Sequence, residues 1–267
     1  MKTLIEIIKD HIQYRSQIWQ MAQKDLSKLY KGTALGWIWI VLKPMLLLSV
    51  YWFAFSFGLR SGKAVDGYPY FLWLMAGMIP WFYMRSMLGG GAGALRKYRF
   101  LITKIKFPIS TIPTFVNISN FCVHVVLVGI MILIYIAFGF LPDIYYLQLP
   151  LYMLMAFLFF NFWALFSSFI AAMSKDFLNF IRSITMAFLW ISGIFYDVNN
   201  MGGTLKTIML LNPITIVVNG FRNSLVYKQW FWETPLELRN YVIVTVIMMV
   251  LSVWVYKKLR REVPDVL

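Results

Sequence analysis

Long apolar segments separated by short polar stretches are the main pattern along this chain. Six segments reach or approach the roughly 20 residues that an α-helix needs to cross a bilayer. Their approximate bounds are 35–58, 69–88, 111–138, 148–173, 177–196 and 238–256. The pattern therefore predicts an all-α integral membrane protein with six transmembrane helices.

The first 33 residues follow a different pattern, in which apolar residues recur at helical spacing. Leu4, Ile8, Ile12 and Trp19 share one face, and Lys and Gln residues occupy the other. We expect one or two amphipathic helices that lie in the membrane interface. A solvated helix packed on a soluble partner is the alternative. The stretch lacks the short apolar core of a cleavable signal peptide, so none is predicted.

Two connections are longer than simple turns require. Residues 94–106 predict a short basic amphipathic helix between the second and third spans. Residues 198–236 hold two apolar halves around Asn212-Pro213, each too short to cross the membrane. Two short re-entrant or interfacial helices would shield this backbone from lipid, and a seventh and eighth crossing is the alternative. The predicted parts are an amphipathic region at 1–33, a transmembrane domain at 34–257 and a tail at 258–267.

The composition fits a protein whose solvent is lipid. Hydrophobic residues make up 60% of the chain and charged residues 13%, which leaves too much apolar surface for a soluble fold of this size. The net charge of +14 is concentrated beside the apolar segments, which argues against nucleic-acid binding. Eighteen of the 25 basic residues fall on one side of the predicted topology and six on the other. Both termini are therefore predicted to be cytoplasmic.

Several kinds of chemistry have no counterpart in the sequence. There is no Walker A motif for binding ATP, and the lone Cys122 predicts neither a disulfide nor a cysteine metal site. The carboxylates lie near span ends, so no proton or sodium relay is expected. His124 is the one ionisable residue deep in a span, and we expect a neutral, hydrogen-bonded helix contact. The chain is thus predicted to be no enzyme and to hold no cofactor or metal.

Four motifs together resemble one family of transporters. They are KDLSKLYKGTALGWIWIVLKP (24–44), PYFLWLMAGMIPWFY (69–83), ITKIKFPISTIP (102–113) and LNPITIVVNGFRNSL (211–225). In this order they resemble the ABC-2 type permeases that export cell-surface polysaccharides such as O-antigen, capsule and teichoic acid. The FGLRS run at 57–61 and the tail at 258–267 are slightly more similar to the teichoic-acid branch.

The resemblance implies a homodimer of six-span permeases in the bacterial cytoplasmic membrane, in which the amphipathic region at 1–33 acts as a cytoplasmic gate helix. Two copies of a separate P-loop ATPase would bind ATP and magnesium. The cargo would be a lipid-diphosphate-linked glycan or polyol-phosphate polymer. Two other functions stay open: an ABC-2 type exporter of drugs or other small molecules, and a membrane-embedded glycosyl- or acyltransferase.

Candidate residues follow from these expectations. Aromatic side chains that could line a sugar path are Trp37, Tyr51, Trp52, Phe55, Trp73 and Tyr83, with lipid-facing or interhelical packing as the alternative. Lys24, Lys28 and Lys31 lie at helical spacing and could meet a lipid diphosphate, or simply anionic membrane lipids. By resemblance, the residues that dock the ATPase are Arg96, Lys97, Phe100, Ile102 and Lys104. Also by resemblance, the external closure is formed by Asn212, Pro213, Phe221 and Arg222.

Overall fold

The computed structural model describes residues 2–32, 34–58, 64–105 and 107–267, and helices account for most of them. The α-helices are α1 Lys2–Gln13, α2 Arg15–Tyr30, α3 Trp39–Phe53, α4 Tyr70–Ser86, α5 Ala94–Lys97, α6 Arg99–Lys104, α7 Ile112–Ala137, α8 Leu149–Met173, α9 Lys175–Ile191, α10 Gly203–Met209, α11 Pro213–Arg222, α12 Pro235–Leu259 and α13 Val263–Val266. Turns of π-helix extend α3 to Gly58, α4 to Gly91 and α11 to Tyr227. Turns of 3-10 helix precede α3, α7 and α8. The predicted all-α class is confirmed for these residues.

Proline and side-chain caps mark where several helices begin. A proline occupies the first turn of α7, α8, α11 and α12, where its missing N–H loses no helical hydrogen bond. The α9 helix begins at Ser174, whose hydroxyl accepts a hydrogen bond from the Phe177 N–H. The α11 helix begins at Asn212, whose carbonyl oxygen accepts from the Ile214 N–H at 3.0 Å. These local signals separate α8 from α9 and α10 from α11.

The α4 helix forms the centre of the bundle. Most of its residues are buried, and it packs against α3, α7 and α11. The α8 helix contacts both α7 and α12 on another side of the core. By contrast, α3 buries just Ile40 and Leu48 among its own residues. The outer face of α3 is therefore left for lipid or for another subunit.

By length and composition, four helices of the described residues can cross a membrane. They are Gly36–Gly58, Ile109–Ala137, Ile144–Met173 and Pro235–Leu259. The segment that was predicted to cross at 177–196 is instead a 17-residue helix that ends at Ile191. The span predicted at 69–88 contains α4, in which Pro80, Arg85 and aromatic side chains lower the hydropathy. Six crossings therefore stay a prediction at α4 and α9.

The N-terminal region consists of two helices: α2 packs along α7, and α1 contacts α12 and the 3-10 turn before α7. Hydrogen bonds tie α1 to the start of α7, with His11 bonded to Thr114 and Ser110 to Asp10, both at 2.8 Å. Glu6 of α1 pairs with Arg260, which follows α12. The first helix and the end of α12 therefore meet at one end of the bundle.

Part of the apolar surface of these two helices faces away from the bundle, and the rest packs inward. Ile5, Ile8, Ile12 and Trp19 are each at least half exposed, whereas the polar Asp10 and Asp25 face inward. An exposed apolar stripe beside a transmembrane bundle is what an interfacial helix presents to lipid. This arrangement favours the interfacial interpretation over a solvated helix.

Candidate functional site

Three lysines predicted to receive a lipid diphosphate line one groove on α2. Lys24, Lys28 and Lys31 share it with Gln20, Gln23 and Ser27, and its volume is about 350 Å³. All three lysines are exposed, and no carboxylate lines the groove. We call this surface the basic groove. Its charge and hydrogen-bond donors suit an anion with several oxygens.

The aspartate within the same helix points in the opposite direction. Asp25 is 1% exposed and accepts hydrogen bonds from three side chains. Lys97 donates to Oδ1 at 2.5 Å, Tyr98 also donates to Oδ1, and Ser119 of α7 donates to Oδ2. One carboxylate thus joins α2 to α7 and to the segment that links the second and third predicted spans.

The sequence predicts one short helix over 94–106, but the segment forms two helices, α5 and α6, within residues 94–104. It breaks at Tyr98, whose backbone leaves helical geometry and whose ring is buried. Burial and the hydrogen bond to Asp25 raise the pKa of Tyr98, so its hydroxyl stays a donor at physiological pH. We call α5 and α6 together the docking segment. Residue 106 lies outside the described residues.

The basic groove and the docking segment contact each other directly. The Lys28 ammonium lies 5.5 Å from the ring centre of Tyr98 and 6.0 Å from that of Phe100. At these distances a cation is attracted to the face of an aromatic ring. This contact joins the basic groove to the docking segment.

The structure divides the predicted docking residues into two groups. Arg96 donates to the Ala171 and Ala172 carbonyls at the end of α8, Lys97 binds Asp25, and Ile102 is buried. Phe100 and Lys104 are exposed. Exposed Arg99, which the sequence analysis did not select, lies on the same short helix. The outward residues of α6 are therefore the better candidates for a protein contact.

The aromatic residues predicted to line a sugar path also fall into two groups, one buried and one at least partly exposed. Trp73 and Tyr83 are each 3% exposed, because Trp73 stacks on Tyr70 and Tyr83 donates a hydrogen bond to Asn117. Burial within one chain argues against a role for these two side chains in lining a path. Tyr51, Trp52 and Phe55 are partly exposed on α3, and Trp37 in the preceding turn is 52% exposed.

A polar surface on α9 was missed by the sequence analysis. Leu178, Ile181, Thr185 and Leu189 face the core, and Asn179, Arg182 and Ser183 are exposed. The signal was present, since Asn179 and Ser183 lie one helical turn apart and Arg182 lies beside them. A membrane-spanning helix does not usually turn such side chains toward lipid.

The predicted closure residues lie around the bent pair α10–α11, whose axes differ by 96°. Arg222 is fully buried and donates to the carbonyls of Gly193 and Ile194 at 2.7 and 2.6 Å. Its guanidinium carbon lies 3.5 Å from the ring centre of Trp73. Asn212 donates to Ser192 at 2.9 Å. These contacts fasten α11 to the end of α9. Pro213 is the first residue of α11, and Phe221 is buried within it.

The hydrogen bond predicted for His124 is absent from the described residues. Its two ring nitrogens are buried and have no hydrogen-bond partner there. The imidazole instead stacks on Tyr83, with ring centres 5.1 Å apart, and lies 5.8 Å from Phe221. The prediction of a helix contact is right, but the contact is aromatic stacking.

Comparison with known proteins assigns the chain to a family. The sequence profile described as ABC-2 type transporter matches residues 16–226, which include the basic groove, the docking segment and the α10–α11 pair. The chain belongs to the ABC-2 type transporter family. The resemblance drawn from the four motifs is thus confirmed at the level of the family, and the chain is a multi-pass membrane protein.

Similar proteins include members of the ABC-2 type transporter family that are named for O-antigen export. The O-antigen export system permease protein RfbA of Myxococcus xanthus is 25% identical over 221 residues, which cover 82% of this chain and 84% of that protein. Two permease proteins of the same name from Klebsiella pneumoniae are 31% and 30% identical over 93 residues, about a third of either chain. The teichoic-acid branch has no support here, and part of its FGLRS run lies outside the described residues.

Family membership also bears on catalysis. ABC-2 type chains of this kind are permease subunits of transporters and are not enzymes themselves. Within the described residues, no group of three or more His, Cys, Asp or Glu side chains could hold a metal ion. The basic groove and the docking segment are therefore candidate parts of a transport pathway.

Proposed function

We propose that this chain is the permease subunit of an ATP-driven exporter that moves a lipid-diphosphate-linked cell-surface polysaccharide out across the cytoplasmic membrane. Both termini would be cytoplasmic. The observation that carries the proposal is the contact between α2 and the docking segment, which Lys28 makes from the basic groove and Asp25 makes from the buried face of the same helix. The name of the Myxococcus xanthus relative, an O-antigen export permease, supports a glycan as cargo.

The basic groove would be the entrance for the lipid-linked end of the cargo. It combines three exposed ammonium groups with amide and hydroxyl side chains, and α2 places it beside the apolar stripe that faces lipid. A diphosphate between two such lysines gains charge-assisted hydrogen bonds. Simple attraction to an anionic membrane, about 1 kcal/mol per basic residue, is the competing explanation. That attraction would depend on the number of charges and not on their place in the groove.

The docking segment would bind the ATPase. Arg99, Phe100 and Lys104 are exposed on α6. Behind them the segment is hydrogen-bonded to α2 and α8 and packs on α7. A push on α6 would therefore reach α2 through side-chain contacts alone. Two copies of a separate ATPase, with ATP and magnesium, would supply that push.

The path for the polymer would form between two copies of the permease. The exposed Asn179, Arg182 and Ser183 of α9 need water or protein beside them, because lipid solvates them poorly. Tyr51, Trp52 and Phe55 of the extended α3 helix are half-buried against Phe71 and Phe195, and a displacement of α3 would expose them. Aromatic rings there could contact the C–H faces of sugars weakly and repeatedly. The bent pair α10–α11 would close the external end.

Export by reconstituted vesicles tests the entrance. Lys24, Lys28 and Lys31 are changed to Gln together, and the permease–ATPase complex is supplied with ATP and a polyprenyl-diphosphate-linked glycan. We expect export to fall at least tenfold while the ATPase still copurifies, because the docking segment is intact.

The matched control removes an equal number of basic residues at the same end of the bundle. Lys257, Lys258 and Arg261 are exposed and lie outside the groove, and their change to Gln should leave export near its normal rate. An equal fall in both variants would indicate general attraction to anionic lipid. Normal export in the groove variant would contradict the entrance. Transport of small apolar compounds in place of glycans would favour the drug-exporter alternative.

A further inference from the structure

A second cavity, with polar groups in its lining, lies between α3, α4 and α7 and opens to the surface of the chain, away from the basic groove. It has a volume of about 240 Å³, and Lys43 in its lining is exposed. Lys43, Ser86, Asn120 and His124 supply its polar groups, and Trp39 and Tyr83 are among its aromatic neighbours. We call it the polar cavity. Since a water occupies about 30 Å³ in the liquid, it has room for a small polar group together with several waters.

Lys43 places a positive charge within a predicted span. It lies seven residues after Gly36, the start of the first candidate crossing, or about 10 Å along a helix that rises 1.5 Å per residue. Among the described residues no carboxylate pairs with it. Its ammonium lies 5.3 Å from the Trp39 ring centre, which leaves its N–H groups free to bind an anion. Charges at this depth usually have a partner or face a polar cavity.

His124 gives the cavity a second unsatisfied group. The residue is 1% exposed, and both ring nitrogens lack a hydrogen-bond partner in the described residues. A neutral imidazole always carries one N–H donor, and a buried donor without an acceptor is unfavourable. By contrast, Ser86 donates to Asn120 at 2.9 Å, and Asn120 donates to the Val116 carbonyl at 2.8 Å. The unmatched groups are therefore a cation and an imidazole, and the lining contains no anion.

We propose that the polar cavity binds the phosphate headgroup of a membrane lipid. A phosphate would supply the negative charge that Lys43 lacks and an acceptor for the His124 N–H. The three helices around the cavity are predicted spans, so a ligand that carries a lipid tail can reach it from the bilayer. The site does not depend on what the transporter exports, because it requires just a phosphate joined to a lipid.

Native mass spectrometry of the full-length permease can measure this binding. Three probes are titrated separately: a polyprenyl diphosphate, phosphatidylglycerol and inorganic phosphate. Lys43→Met removes the charge and keeps the length of the side chain. His124→Phe keeps an aromatic ring against Tyr83 and removes both nitrogens.

Lys258→Met is the matched control. The Lys258 ammonium lies 5.4 Å from the Trp254 ring centre, nearly the distance between Lys43 and Trp39, but it lies outside the cavity. We expect Lys43→Met to weaken binding of at least one lipid probe tenfold or more, His124→Phe to weaken it severalfold, and Lys258→Met to leave it unchanged.

The two lipid probes separate the possible sources of the phosphate. If Lys43→Met weakens binding of polyprenyl diphosphate alone, the cavity is a binding site for the lipid-linked cargo. If it also weakens binding of phosphatidylglycerol, the cavity is a general phospholipid site. Either result supports the proposal. Equal effects of Lys43→Met and Lys258→Met would overturn it. The proposal would also be overturned if inorganic phosphate bound as tightly as the two lipid probes.

Discussion

Replacing Asp25 with Asn should loosen α2 from the docking segment while leaving the bundle folded. The change keeps the size of the side chain and removes its charge. Lys97, Tyr98 and Ser119 all donate hydrogen bonds to the two carboxylate oxygens. The amide of asparagine has one acceptor oxygen and presents N–H donors in place of the other. At least one of the three donors then loses its acceptor.

The expected loss of stability follows from these contacts. A hydrogen bond to a charged group contributes about 1.5–3 kcal/mol, and breaking a buried ion pair costs about 3–5 kcal/mol. The Lys97 side chain is 45% exposed and can turn to water, so the lower end of the range applies. We expect about 3 kcal/mol, which is roughly a hundredfold change in the equilibrium between attached and detached α2.

Hydrogen–deuterium exchange in lipid nanodiscs measures this equilibrium. In Asp25→Asn, amide exchange in α2 should rise by up to two orders of magnitude, and exchange in α8 should stay unchanged. Asp10→Asn is the matched control, because Asp10 accepts a hydrogen bond from Ser110 but does not contact the docking segment. It should leave exchange in α2 close to normal.

The functional result of the same variant tests the proposed coupling. With its ATPase bound, Asp25→Asn should hydrolyse ATP but export little cargo, because movement of α6 no longer reaches α2. Unchanged exchange in α2 would show that the apolar contacts of α2 hold it without the aspartate. Rapid exchange together with normal export would show that the link exists but is not needed for transport.

Two further predictions concern the other end of the bundle and α9. Gly77→Ala places a Cβ 2.8 Å from an Arg222 guanidinium nitrogen, so it should destabilise the permease by about 1–3 kcal/mol and lower its melting temperature in detergent. Gly129→Ala, which has open space, should be nearly neutral, and equal effects would contradict the reasoning. In a version without the native cysteine, Ser183→Cys should react with a water-soluble maleimide and the buried Thr185→Cys should not. Failure of both to react would refute a water-filled path along α9.

The long apolar helices could be predicted because their length alone identifies them. The runs at 111–138 and 148–173 match α7 and α8 to within a few residues, since an α-helix satisfies all the backbone hydrogen bonds of a single segment in lipid. The same criterion is weaker for α4, whose aromatic, proline and arginine residues lower its hydropathy. That helix is instead the most buried part of the bundle, which an apolar run alone does not reveal.

The direction in which side chains point was harder to predict. Trp73 and Tyr83 were assigned to a sugar path because aromatic residues suit one, yet both lie in the core. Arg96 was assigned to a protein contact because it is basic and lies in a connection. It is held by the Ala171 and Ala172 carbonyls, which the end of α8 leaves without helical partners. Tertiary packing decides which face of a helix is buried against the rest of the chain. The sequence pattern alone does not contain that information.

Buried charges mark the two ends of the bundle where short helices are fastened. Asp25 holds α2 at one end, and Arg222 holds α11 against the end of α9 at the other. Removing one partner of a buried charge costs several kcal/mol, so the elements joined by these residues should move together. The α3 helix has few buried residues and no such tie among the described residues. Opening during transport is therefore expected to displace α3 relative to α4 rather than to break the contacts around Asp25 or Arg222.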